Sequence, residues 1–136
     1  MTKGDRQLVQ RWLDWAGESL EAARLLCRHA YWAGAINRAY YACFYAGSAP
    51  ILTRDLSAAK HAGVRTLLDR EFFKTGLIEK RLGDFYNELF GKRIDSDYKC
   101  HIPFTPEQVG QYVTLAEEFV GVARGLVQQA LRDESR

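Results

Sequence analysis

The chain has no unbroken apolar run of about 18 residues, so no segment is expected to span a membrane. Its first stretch, MTKGDRQLVQRWLDWAGES, also lacks the apolar core of a secretory signal. Cysteine is scarce. Cys27, Cys43 and Cys100 are odd in number and form no C-x-x-C pair, which argues against a disulfide framework and for a reducing, cytoplasmic setting. The three histidines, His29, His61 and His101, are scattered. No helix offers paired His or Cys ligands, so no metal and no other cofactor is expected. A strong excess of one charge is missing as well. Nineteen basic residues face 17 acidic ones for a net charge of +2, too balanced for a general nucleic-acid coat. A local basic site stays open, and the basic residues are mostly arginine, the better planar fork for phosphate. Alternating strand patterns and repeats of 20 to 50 residues are absent too.

What is present is helical periodicity. With 136 residues, 47% hydrophobic and 26% charged, the chain reads as one globular domain over 1–136 with a core of its own. Apolar residues spaced three and four apart predict helix one over 5–28, through Leu8, Trp12, Trp15, Ala16, Leu20, Ala23, Leu26 and Cys27. Helix two is predicted over 32–54. It is rich in alanine and aromatics and poor in charge, and is expected to be the central, most buried helix, kinked or ended by Pro50. Helix three follows with Ser57 as N-cap and stops near 74–76. Helix four is placed over 77–90. Residues 91–104 show no stripe and read as a long connector. Helix five opens on a strong signal: Thr105 as N-cap, Pro106 at the first turn, and Gln108 completing a capping box. Residues 132–136 are expected to fray. Short connections favour an all-α, up-and-down antiparallel bundle of about five helices.

Three polar groups stand out. Asn37, Arg38, Tyr40, Tyr41 and Tyr45 lie within the most buried helix, where an arginine is costly unless it is paired or sits at an open end. Lys60 and His61 open helix three, where an N-terminus favours anions; a solvated pair on the first turn is the plainer reading. Arg93, Asp97 and Tyr98 fall in R-I-D-S-D-Y. If helix four continued, Arg93 and Asp97 would form a local ion pair worth about 0.3 kcal/mol. Otherwise Arg93 faces Arg38 and His61 around a shared pocket. Trp12, Trp15 and Trp32 serve as core or as interface anchors.

These segments carry a resemblance. N-R-A-Y-Y-A-C-F-Y-A (37–46), K-H-A-G-V (60–64), F-F-K-T-G-L-I (72–78) and R-I-D-S-D-Y (93–98) resemble the HEPN domain family, in order and over nearly the whole chain. So do E-S-L-E-A-A-R-L-L in helix one and E-E-F-V in helix five. The resemblance implies a helical bundle that often dimerises, nucleotide binding, partnership with small nucleotidyltransferases in toxin–antitoxin-like pairs, and metal-independent RNA cleavage. Cleaving members carry an arginine and, after four to six intervening residues, a histidine near the last helices. Here seven residues separate Arg93 from His101, while Arg24–His29 and Arg54–His61 match the spacing in the first half of the chain.

The reading that follows is a homodimeric protein that holds a nucleotide or RNA phosphate. Its ligand residues are Arg38, Tyr41, Lys60, His61, Arg93, Asp97 and Tyr98, and it is expected to partner a nucleotidyltransferase. One alternative is a metal-independent RNase with His61 or His101 as general base and Arg93 stabilising the phosphorane charge. Another is a purely structural dimerisation module.

Overall fold

The computed structural model describes residues 1–98 and 104–135, and for 93–98 it describes the backbone only. Five α-helices and no strand occur among the described residues: α1 Lys3–Arg28, α2 Trp32–Leu52, α3 His61–Leu68, α4 Lys80–Tyr98 and α5 Pro106–Glu134. None is long and apolar enough to cross a membrane.

Helix α1 starts earlier than its apolar stripe. Thr2 caps it, accepting from Asp5 N at 3.0 Å, while the Asp5 carboxylate accepts from Thr2 N at 3.0 Å. This is a capping box with aspartate in the usual glutamate position. Ala30, at φ 61°, takes the left-handed conformation that turns the chain into α2. Helix α2 is the centre of the bundle and packs against α1, α3, α4 and α5. Its small residues Ala35, Ala39, Ala42, Ala46 and Ala49 are all fully buried, which lets its neighbours approach closely. Pro50 sits near the end, and the helix stops at Leu52. The start of α1 meets the end of α5 through Arg6 and Glu134 at 3.3 Å. The opposite ends meet through Arg24 and Glu117 at 2.9 Å. The two helices therefore run antiparallel. The core holds Tyr40, Tyr86, Phe72, Phe119, Ile36 and Leu68.

Several expected boundaries move. Ser57 is not the N-cap of α3; Lys60 is, with extended backbone and no side-chain cap bond. The residues before it are used to cross from α2, and Ala58 packs tightly under Gly63, where an added Cβ would lie 2.8 Å from the Ala58 methyl. After Leu68 the chain widens into a π turn over Asp69–Phe73, which buries both Phe72 and Phe73. Gly76, at φ 79°, then reverses direction, and Ile78 N donates to Phe72 O at 2.9 Å. Helix α4 begins at Lys80 and runs to Tyr98, so much of the expected connector 91–104 is helical. An already nucleated helix propagates at little cost without a buried stripe. Helix α5 is capped by Thr105, which accepts from Gln108 N at 3.1 Å. The Gln108 side chain donates to the Tyr112 hydroxyl instead of completing the box. The frayed end expected from 132 is helical to Glu134.

Candidate functional site

The pitch of α2 sets Arg38, Tyr41 and Tyr45 along one flank, with Tyr40 and Phe44 a step further inward. Tyr40 is fully buried, whereas Arg38, Tyr41, Phe44 and Tyr45 are half-buried. The first residue of α3, His61, is laid across this flank. Its ring stacks on Phe44 with centroids 4.2 Å apart and planes 14° apart, and the Tyr41 ring meets it edge-on at 5.5 Å. His61 Nδ1 lies 2.8 Å from the Tyr40 hydroxyl. Behind Tyr40 sits Tyr86, whose buried hydroxyl makes no hydrogen bond of good geometry among the described residues. Burial holds that phenol well above its ordinary pKa.

Two arginines rest on this aromatic wall. The Arg38 guanidinium lies 4.6 Å over the Tyr41 ring, and its Nε and Nη2 donate to Asn37 Oδ1 at 3.3 and 3.1 Å. Arg65, one turn after His61, lies 5.0 Å over Phe90 and donates from Nε to Asn87 Oδ1 at 2.6 Å. Phe90 in turn contacts Tyr40, with centroids 6.0 Å apart. An amide oxygen orients a guanidinium without neutralising it. Elsewhere the pattern differs: Arg24 binds Glu21 and Glu117, and Arg81 binds Glu79 and Glu118. Among the described residues no carboxylate lies within ion-pairing distance of Arg38 or Arg65. The result is two un-neutralised guanidinium groups and an imidazole on one apolar wall, a donor set for a phosphate.

The structure therefore brings together Arg38, Tyr41 and His61 of the sequence-predicted set. Lys60 heads the same helix as His61, with an exposed side chain. Arg38 is half-buried and, among the described residues, has no carboxylate partner across the bundle; stacking on Tyr41 and an asparagine hold it. Arg93 and Asp97 follow Phe90 at the third and seventh positions along α4. The side chains of Arg93, Asp97 and Tyr98, and all of His101, lie outside the described residues. The alternative arginine–histidine spacings engage other partners: Arg24 is in its two ion pairs, and Arg54 lies over Phe72 beside Glu71. Arg65, Asn87 and Phe90 were missed. Arg65 was open to discovery, because H-A-G-V-R places it four residues after His61 on the same helical face. No group of three or more metal-ligating side chains occurs among the described residues.

The sequence profile of the HEPN domain matches residues 9–126. A Thermotoga maritima chain named "UPF0332 protein" is 38% identical, covering 93% of this chain and 96% of its own length. A Methanocaldococcus jannaschii chain named a "putative toxin" is 33% identical, over 88% and 89% respectively. A second so-named chain of that organism is 31% identical, over 74% and 68%.

Proposed function

The chain belongs to the HEPN domain family, and on that premise we propose that it is a toxin-like, phosphate-binding partner of a small nucleotidyltransferase. Its ligand is a nucleotide or RNA, and it acts as a homodimer. The observation that carries this reading is the pair of asparagine-held arginines, Arg38 and Arg65, on the aromatic wall that mounts His61. Two guanidinium groups with no carboxylate at ion-pairing distance among the described residues are what an anionic ligand needs, whereas Arg24 and Arg81 are answered by carboxylates. The relatives named as toxins support the coarser role.

Calorimetry with nucleotides and short RNAs tests the reading. Binding should weaken in Arg38→Ala and in Arg65→Ala, and each should flatten the salt dependence. Unchanged binding in both variants would sink the site. Light scattering checks the dimer, and the presence and co-purification of a nucleotidyltransferase encoded beside this gene checks the pairing.

A second reading, metal-independent RNA cleavage, is favoured by one observation, the contact between Tyr40 and His61 Nδ1. When Nδ1–H donates to the phenol oxygen, Nε2 carries the lone pair and can take the proton of a ribose 2′-hydroxyl. An arginine would then stabilise the developing phosphorane charge. Incubation with RNA in chelator is the direct assay. Cleavage abolished in His61→Ala supports this reading, and the absence of cleavage of any RNA removes it.

A further inference from the structure

A recess of about 210 Å³ opens on the α1–α2 face beside the aromatic wall, lined by Trp15, Glu18, Ser19, Arg38 and Tyr45. It is smaller than the roughly 300–1,000 Å³ of a site that encloses a whole small molecule. That size suits one ring system of a longer ligand. Trp15 is 39% exposed, and its ring lies 5.7 Å from that of Tyr45 at a 54° tilt, so two aromatic rings border the opening; Trp12 stacks on Tyr45, and the Arg11 guanidinium lies 6.0 Å over Trp15.

Ser19 is the reverse case. It is polar, only 6% exposed, and its hydroxyl has no hydrogen-bond partner among the described residues. The other helical hydroxyls among the described residues bond the carbonyl one turn back, as Ser48, Thr66 and Thr114 do. Ser19 leaves its hydroxyl for whatever occupies the recess. Glu18 stands exposed beside it and makes no ion pair among the described residues. Arg38 belongs to both places, lining the recess while its guanidinium lies over Tyr41. The ring series Tyr45, Tyr41, His61 links the two, with centroids 5.8 and 5.5 Å apart.

We propose that this recess is a nucleobase subsite for guanine, taking the base of a nucleotide in a strand whose phosphate lies on the His61 wall. The proposal rests on the phosphate-binding reading above. Stacking on the exposed Trp15 ring gives affinity but no choice, since every base has a π face. Choice comes from Glu18. A carboxylate accepts two parallel N–H bonds, and the N1–H and N2–H₂ edge of guanine offers two adjacent donors. Adenine and cytosine set a lone pair beside their amino group, and uracil flanks its N–H with carbonyls. Each of them would face the carboxylate with an acceptor. The Ser19 hydroxyl, donor or acceptor as needed, completes the polar side.

The test uses the full chain and short labelled oligouridylates with G, A, C or U at one internal position, followed by fluorescence anisotropy. The G-bearing strand should bind about ten-fold more tightly, the discrimination typical of one good bidentate pair. Glu18→Gln should erase that preference, because the amide presents one donor and one acceptor in place of two acceptors. Arg38→Ala should weaken all four strands alike. If the wild type binds all four equally, the guanine subsite fails and the phosphate reading stands. If no strand binds at all, the functional reading itself fails. Retained guanine preference in Glu18→Gln would overturn the role of Glu18. A Trp15→Ala variant that turns a dimer into a monomer with unchanged base preference would make the recess a protein interface instead.

Discussion

Tyr40 and His61 meet at 2.8 Å, hydroxyl oxygen to Nδ1, although 21 positions separate them in the chain. One is fully buried at the centre of α2, and the other opens α3 at the edge of the wall. The contact ties the orientation of a half-exposed imidazole to the best-packed part of the fold. The core therefore contributes directly to the orientation of His61.

Tyr40→Phe should keep the fold and remove one hydrogen bond from the His61 ring. Losing one net hydrogen bond costs about 0.5–1.5 kcal/mol, and the phenylalanine keeps the aromatic contacts. Urea unfolding should show a loss near 1 kcal/mol with unchanged slope. Nitrogen chemical shifts of the His61 ring should move from a single tautomer toward the mixture of a free imidazole. An unchanged tautomer would mean that the phenol does not set it.

Two glycine-to-alanine changes should have opposite signs. A Cβ at Gly83 would fall 2.8 Å from Cγ of Phe73 and 3.2 Å from its Cβ. These are rigid atoms of a side chain that is only 9% exposed, so Gly83→Ala should cost about 1–3 kcal/mol. At Gly121, in the exposed face of α5, nothing lies within 4 Å. Gly121→Ala should gain about 0.5–1 kcal/mol from helix propensity alone. Chemical denaturation of the two variants beside wild type checks both signs.

The same contrast shows how much was legible in the sequence. The all-α bundle, the central α2 and the α5 cap follow from local pattern, because spacing and capping chemistry are written in neighbouring residues. Arg38, Tyr41 and His61 were found because polar groups in an apolar helix stand out. Asn87 and Phe90 were not, because their role depends on α4 lying beside α3, a tertiary fact with no local signature. The continuation of α4 through Tyr98 was hidden for a related reason: an unstriped helix extension looks like a loop. The capping box at Thr2 used aspartate in place of glutamate and was also passed over.

Acid should loosen the α4–α5 contact. The hydrogen bond from Arg81, more than its charge, holds the Glu118 carboxyl below its ordinary value of 4.5. The hydrogen bonds of Thr2, its backbone N–H first, hold Asp5 below 3.8. A carboxylate whose folded pKa is depressed stabilises above its unfolded value, and that contribution is lost as pH falls through the folded pKa. Thermal stability should therefore decline as pH drops below about 4.5, and Glu118→Gln should make the decline shallower between pH 4.5 and 3. The pair is exposed, so the effect should be small and should shrink further in high salt. An acid limb identical in Glu118→Gln would place the loss at other carboxylates.

Alkali should act through Tyr112. Burial, then the hydrogen bond to Glu88, pushes its phenol from 10.0 up to about 12; the hydroxyl donates to Glu88 Oε1 at 2.6 Å and the residue is only 4% exposed. A folded pKa raised above the unfolded one stabilises fully below pH 10, and that contribution disappears as pH climbs toward 12. Spectrophotometric titration should show Tyr112 and Tyr86 ionising above the ordinary phenol range, with the last phenols appearing only as the bundle unfolds. Tyr112→Phe should cost about 1–2 kcal/mol at pH 7, where the bond to a charged acceptor is intact. That difference should narrow steadily between pH 10 and 12. A gap that stays constant across this range would mean that Tyr112 contributes through packing alone, and that Glu88 is not its effective partner.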